Sequence, residues 1–263
     1  MLLYAASRLG YRSGGFNFRA VQPIEYKPFE PETVVDLELG TKADWLVGNW
    51  RMRSNLALYQ QWYDKIQRGV AVTNSIGVPG SAIQNAAKAN VFGIELEQTI
   101  SPMRNLSLQI SYAYTTPKYS EWDEPATGAD LSRTPFHFTP KHAGSALLSY
   151  AVPFGGATEE LRFSANGSYR SGVWINNLQN ILAIEATPLA VRPALRQEAY
   201  WLFDLGADWM SVMGSGFDIL AYVKNVTDEE YSVGGVQLYP TFGLTTKAYG
   251  DPRTYGMALR YKF

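Results

Sequence analysis

A strict alternation of apolar and polar residues, with a period of two, runs through most of this chain. It is unbroken where Leu106, Leu108, Ile110, Tyr112 and Tyr114 fall on one face of an extended strand and polar or small residues on the other. In a helix, these apolar residues and the polar residues between them would share the same faces. The pattern therefore predicts a strand whose two faces meet different surroundings. The pattern recurs near residues 2–9, 32–43, 49–66, 87–100, 138–152, 159–173, 201–209, 217–224 and 254–263 and indicates about ten strands.

The connections between these strands alternate in length. Short turn-like connections at residues 44–48, 101–104, 153–156 and 211–215 alternate with connections of about 20 residues or more. All short turns then lie at one end of the sheet. Soluble domains seldom contain such long loops, whereas outer-membrane barrels combine tight periplasmic turns with long external loops. The sequence therefore predicts an all-β fold, a transmembrane antiparallel β-barrel to which this chain contributes about ten strands.

Residue types on the two strand faces fit a barrel with a water-filled lumen. The inward face carries polar side chains, and its outward neighbours are mostly apolar or aromatic. The chain also has 17 Tyr, 12 Phe and 7 Trp. Many of these rings fall near strand ends, where an amphipathic ring prefers the boundary between lipid and water. The inward polar residues are Arg51, Arg53, Asn55, Glu95, Glu97, Gln109, Arg162, Asn166, Arg170, Asp204 and Asp208.

Composition excludes several other classes of protein. The longest unbroken apolar run has six residues, whereas a transmembrane helix needs about 20. A chain without cysteine is not a disulfide scaffold. A net charge of -1 without a long basic run lacks the electrostatic footprint of nucleic-acid binders, so no nucleic-acid partner is expected.

Four segments resemble the C-terminal half of the β-barrel of TonB-dependent outer-membrane receptors. Residues 4–17 (YAASRLGYRSGGFN) and 31–42 (PETVVDLELGTK) are similar to two of that family's strand motifs. Residues 87–97 (AKANVFGIELE) and 223–231 (VKNVTDEEY) are similar to two more. The matches follow the family's order, and the closing strand extends the resemblance to the end of the chain.

This resemblance implies that residues 1–263 are the C-terminal part of a barrel of about 22 strands in the lipid of a bacterial outer membrane. The signal peptide, the plug domain and the TonB box, which contacts the TonB complex, are expected upstream. Leu259, Tyr261 and Phe263, at alternate positions of the last strand, resemble the signal that the outer-membrane barrel assembly machinery reads. Ala258 stands where the family often has Gly.

No motif supports catalysis, a cofactor or a metal site. His137 and His142 lack a nucleophile motif and a further metal ligand at usable spacing, and we interpret them as interface or lumen side chains. Ligand recognition is expected from the long loops, because rings stack on flat ligands and guanidinium groups pair with carboxylates or with catecholates around a chelated metal. The candidate contacts are Arg12, Arg19, Trp122, Trp174, Arg192, Arg196, Tyr239, Phe242 and Tyr249.

The leading functional hypothesis is an active transporter that imports a scarce, bulky ligand such as a ferric siderophore. Haem, cobalamin, nickel chelates and oligosaccharides are alternative ligands. A passive porin-type diffusion channel is a second hypothesis, and it predicts a smaller barrel without a plug. A soluble β-rich binding or carbohydrate-active protein is a third, and it requires the outward aromatic rings to form a core.

The terminal strand generates a first prediction. Replacing Phe263 by Asp should reduce the folded receptor in the outer membrane several-fold, because a charge replaces the aromatic end of the proposed assembly signal. Heat-modifiable migration of the full-length receptor in gel electrophoresis measures the folded fraction. Phe263→Tyr, which keeps an aromatic ring at the last position, is the control, and normal insertion of Phe263→Asp would contradict the signal.

Overall fold

The computed structural model describes residues 1–17, 26, 28–73, 79–123, 128–154, 159–175, 181–237, 239 and 243–262. Short 3-10 turns lie at Arg192–Leu195 and Val212–Gly214. No helix in these ranges is long and apolar enough to cross a membrane. The elements in chain order are β1 (Leu2–Arg12), β2 (Glu32–Val47), β3 (Trp50–Thr73), β4 (Pro79–Met103), β5 (Leu106–Trp122), β6 (His142–Pro153), β7 (Glu160–Arg170), β8 (Val173–Trp174), α1 (Ile181–Ala186), β9 (Arg196–Gln197), β10 (Tyr200–Met210), β11 (Phe217–Lys224), β12 (Ser232–Gln237), β13 (Thr245–Tyr249) and β14 (Thr254–Tyr261).

Ten strands form one antiparallel sheet in the order β1-β2-β3-β4-β5-β6-β7-β10-β11-β14. Strand order follows chain order, so the sheet is an up-and-down meander, as the sequence predicts for a barrel wall. Within the described ranges, β1 pairs with β2 and β14 pairs with β11. The remaining strands form two small sheets, β8 with β9 and β12 with β13, within the long connections.

The register of the sheet confirms the two-faced pattern. Leu39 lies opposite Leu58 on the outer face, and both side chains are exposed. On the inner face, Glu97 lies opposite Asn55 and accepts a hydrogen bond from its Nδ2 at 3.0 Å. A continuous apolar face of exposed side chains indicates contact with lipid rather than water.

Charged residues on the inner face pair across neighbouring strands. Arg8 Nε donates to Asp36 Oδ1 at 2.8 Å, which links β1 to β2. Asp218 is fully buried and accepts from Arg260 Nη2 at 2.7 Å and Lys262 Nζ at 3.0 Å, which links β11 to the end of β14. These pairs neutralise the charged groups that take part in them, while the opposite face stays apolar.

Aromatic rings form two rims on the outer face, as expected. On β10, Trp201 and Trp209 are about 27 Å apart along the strand, or about 20 Å once the strand tilts by about 40°, near the thickness of a barrel's apolar band. Phe263 lies outside the described residues. The rim at the short-turn end contains Trp45, Trp50, Phe154, Trp209, Phe217 and Tyr261, and the other contains Trp62, Phe92, Tyr112, Tyr114, Tyr169 and Trp201.

The turns at residues 48–49, 104–105 and 211–216 lie at one end of the sheet, and the long connections lie at the other, which we call the external end. The expectation of a long loop at residues 67–86 is wrong, because β3 and β4 continue as a paired hairpin from Thr73 and Pro79. The sequence of this part lacks the apolar alternation, although its backbone still pairs. Two smaller differences are that β6 begins at His142 and that β7 ends at Arg170.

Glycines on the inner face accommodate tyrosine rings from the neighbouring strand. The Tyr59 ring lies against Gly93, directly opposite it, where a side chain would overlap the ring. Tyr4 lies against Gly40 in the same way. A ring that covers a glycine restores packing that the missing side chain cannot supply.

This packing generates a second prediction. Gly93→Ala should lower the free energy of unfolding by about 1 kcal/mol, because the new methyl group displaces the Tyr59 ring. Denaturant unfolding of the reconstituted receptor measures the change. Gly234→Ala is the matched control, since a Cβ at Gly234 has open space around it. Equal unfolding midpoints for the two variants would contradict the packing role.

Candidate functional site

The external end holds an apolar cluster that joins the upper parts of β3, β4 and β5 to the connection that follows β5. Phe136, on that connection, stacks on the Tyr119 ring with centroids 4.2 Å apart. Leu131 N donates to Trp122 O at 2.7 Å. The connection is thereby fixed over the end of the barrel wall. The buried members of the cluster are Ile66, Ala87, Ala89, Tyr119, Trp122 and Leu131.

An arginine lies inside this aromatic environment. The Arg68 guanidinium carbon is 5.7 Å from the Tyr119 ring centroid and 5.8 Å from that of Trp122, within cation–π range. Arg68 Nη2 donates to His137 Nδ1 at 3.1 Å. We call Arg68, Tyr119, Trp122 and His137 the Arg68 cluster.

The Arg68 cluster contains several buried polar atoms that have no hydrogen-bond partner among the described residues. They are Arg68 Nε, Tyr119 Oη, Trp122 Nε1 and His137 Nε2. Tyr119 and Trp122 are only 1% and 3% exposed. Arg196 Nε, in the neighbouring β9, is a fifth such atom. Because unpartnered buried polar atoms are rare in folded proteins, a group of four at one place indicates a site that another molecule or segment completes.

His137 is neutral in this setting. Burial, and secondarily the charge of Arg68, lower the pKa of His137 from its usual 6.5 to about 3. A guanidinium can only donate, so Nδ1 accepts and the proton of the neutral ring is on Nε2. The imidazole therefore presents a donor, not an acceptor, on its unpartnered side.

A second cation–aromatic pair lies beside the Arg68 cluster. The Arg196 guanidinium carbon is 5.4 Å from the Trp174 ring centroid. The backbone of His137 forms a bridge with Trp174, and Phe138 N donates to Trp174 O at 2.9 Å. The external end thus carries two arginines stacked on indole rings.

Below this end, the inner wall has a recess of about 540 Å³. Its lining includes two carboxylates, Glu95 and Glu97, four phenols and one guanidinium, Arg170. The phenols are those of Tyr112, Tyr169, Tyr200 and Tyr231. Such a lining can hydrogen-bond a polar solute, and Arg170 can pair with an anionic group.

The predicted contact residues lie in different surroundings in the structure. Trp122, Trp174 and Arg196 come together around His137, as described above. Arg192 is committed to the fold, since it donates to the carbonyl oxygens of Thr187 and Glu185 at 2.9 and 2.7 Å. The other five have no described contact with the cluster: Arg12 and Tyr249 are exposed, Tyr239 is partly buried, and Arg19 and Phe242 lie outside the described residues.

Sequence reasoning missed Arg68, Tyr119 and His137 as members of a site. Tyr119 and Trp122 reach one face only because of the register shift between Lys88 and Ala89, which strict alternation does not reveal. The interpretation of the histidines holds for His142, which contacts Tyr112 and Tyr114 on the outer rim. It is wrong for His137, whose ring is buried within the external connections.

The shifted pKa of His137 generates a third prediction. Unfolded His137 gains its proton near pH 6.5 and folded His137 near pH 3, so stability is complete above pH 6.5 and declines as the pH falls toward 3. At pH 5 the local loss is about 2 kcal/mol. Hydrogen exchange of residues 128–142, corrected for intrinsic rates, should reveal more frequent opening at pH 5 than at pH 7.

The two histidines offer a matched pair of controls. His137→Phe should remove this pH dependence, and His142→Phe should retain it. Equal pH dependence in both variants would show that the buried imidazole is not the responsible group.

Comparison with known proteins identifies the same architecture. A family model described as TonB dependent receptor-like, beta-barrel matches residues 1–226. The ferric yersiniabactin uptake receptor FyuA from Yersinia pestis superposes with a TM-score of 0.72 at 19% identity, covering 99% of this chain and 35% of that chain.

Two further solved structures show the same fold. The ferric preacinetobactin receptor BauA from Acinetobacter baumannii has a TM-score of 0.64 at 20% identity and covers 99% of this chain and 34% of its own. The copper transporter OprC has a TM-score of 0.64 at 14% identity, and the match covers 99% of this chain and 37% of that chain. This chain spans about a third of the length of these structures. The two-faced meander and the family match agree, and the chain belongs to the TonB-dependent receptors, whose barrels lie in the bacterial outer membrane.

Proposed function

We propose that this chain is part of the barrel wall of an outer-membrane active transporter that imports a ferric siderophore, driven by TonB. The observation that carries the proposal is the pairing of two arginines with indole rings at the external end, above a polar inner wall. Iron chelates are bulky and often flat or anionic, and stacked guanidinium groups suit both properties. The names of two structural neighbours, receptors for ferric yersiniabactin and ferric preacinetobactin, support the same cargo class.

In this mechanism the external connections capture the chelate first. The Arg68 cluster and the Arg196–Trp174 pair supply cationic and aromatic contacts at the entrance. The inner wall then offers exchangeable hydrogen bonds, with Glu97 held by Asn55 and Asp204 contacted by Asn166 Nδ2 at 3.4 Å. A solute that leaves the entrance therefore meets a polar path.

Energy enters through parts of the receptor beyond this wall. A plug domain closes the lumen, and the TonB complex, engaged through a TonB box, pulls on it to open the path. The barrel assembly machinery inserts the wall using Leu259, Tyr261 and Phe263. The remaining predicted contacts, Arg12, Arg19, Tyr239, Phe242 and Tyr249, belong to the same external surface in this proposal, whereas Arg192 supports the fold beneath it.

Transport assays test this proposal. Deletion of the gene in the source bacterium should abolish uptake of ⁵⁵Fe carried by siderophores purified from its own spent medium, and the intact gene should restore uptake. A protonophore or loss of TonB should stop uptake in the wild type. Uptake that rises linearly with concentration and resists the protonophore would contradict active transport and support the porin-type channel.

A parallel measurement with copper separates the cargo classes, because the copper transporter OprC has the same fold. Unchanged cellular copper in the deletion strain, together with loss of ⁵⁵Fe uptake, is the expected result. Loss of copper uptake with normal iron uptake would contradict the siderophore assignment.

A further inference from the structure

The positive charge of Arg68 has no acidic partner in the part of the chain that the structure describes. Among the described residues, its one hydrogen bond to a side chain goes to the neutral imidazole of His137. Its Nε is buried without an acceptor, and two aromatic rings cover the guanidinium. A partly buried cation without a counter-ion is costly, so an anion that enters this place gains both a charge partner and unused hydrogen bonds.

The unpartnered atoms define the chemistry of that anion. Arg68 Nε and Trp122 Nε1 are donors only, and Tyr119 Oη can also donate, whereas His137 Nε2 lies on the side of the ring that faces away from Arg68. A group that completes this set must therefore accept several hydrogen bonds and need not donate any. A cation or a protonated amine is excluded by the same set.

A carboxylate satisfies these requirements better than water does. Its two oxygens provide about four lone-pair positions and a full negative charge, whereas a water molecule must also place its own two protons. The carboxylate is planar and matches the fork of a guanidinium.

We propose that Arg68, Tyr119 and Trp122 form a carboxylate-binding site at the external end of the barrel, where the hydrogen bond to His137 positions Arg68. The carboxylate belongs to the imported chelate, and this assignment of its source rests on the proposed transport function. Arg68 is only partly buried, so part of its side chain meets solvent. The same chemistry could be supplied by an acidic side chain elsewhere in the receptor, and the experiment separates the two sources.

Binding of benzoate to the purified full-length receptor, measured by saturation-transfer NMR, tests the site directly. Benzamide is the probe of equal shape without charge. Benzoate should bind more tightly than benzamide, and Arg68→Gln should weaken benzoate binding about tenfold, the effect of losing one charge-assisted interaction. Trp122→Phe retains a ring but removes one donor and should weaken benzoate binding less, and Arg68→Lys should restore part of the affinity.

Arg133→Gln is the matched control. Arg133 also lies in the connection after β5, is 65% exposed and contacts Glu185 at 3.2 Å, so its loss should leave benzoate binding unchanged. Equal binding of benzoate and benzamide, or equal effects of Arg68→Gln and Arg133→Gln, would overturn the proposal unless the wild-type site is already filled.

A cryo-EM map of the ligand-free full-length receptor shows whether the wild-type site is already filled by a group of the protein. An Asp or Glu carboxylate from another segment against Arg68 Nε would support the carboxylate site and assign its source to the protein. No such carboxylate, together with absent benzoate selectivity, would overturn the site. Binding is measured without transport, so failure of iron uptake and failure of the carboxylate site are separate results.

Discussion

The requirement that every backbone polar group in lipid has a hydrogen-bond partner governs this structure. Ten strands meet it through one antiparallel ladder, in which each strand pairs with its neighbour in the chain. Strand geometry then places alternate side chains on opposite faces. Leu39 and Leu58 therefore face lipid, whereas Glu38 and Tyr59 face the lumen. The aromatic rims, the paired lumen charges and the separation of short turns from long connections all follow from this ladder.

The wall could be predicted from sequence because its two faces meet different solvents, and each solvent selects a residue type at every second position. That selection ends where the strands leave the membrane. The upper part of β3 and β4 is still paired strand, but its residues carry no alternation, so it was expected to be loop. The Arg68 cluster could not be predicted from the sequence for a related reason. Arg68, Tyr119 and His137 come from three separate segments, and a register shift turns Trp122 inward with Tyr119. Local sequence patterns do not reveal which side chains from separate segments come into contact.

Side-chain amides join the external connections to the rigid hairpin. Gln67 Nε2 donates to the carbonyl oxygens of Ser13 at 2.8 Å and Glu30 at 3.1 Å, and Asn17 exchanges hydrogen bonds with the backbone of Ile83. The connection between β1 and β2 is thereby tied to β3 and β4 as one body. A binding surface built on tied connections loses less conformational entropy when a ligand arrives.

A sheet whose strand order is its chain order can also change size in a simple way. Duplication of any two consecutive strands with their turn would widen the wall without altering which face of the later strands meets lipid. Two added strands leave the direction of every later strand, and the alternation of its side chains between lipid and lumen, unchanged. Duplication of a single strand would reverse every strand after it. Hairpins, rather than single strands, are therefore the units by which such a gene could gain or lose circumference during evolution.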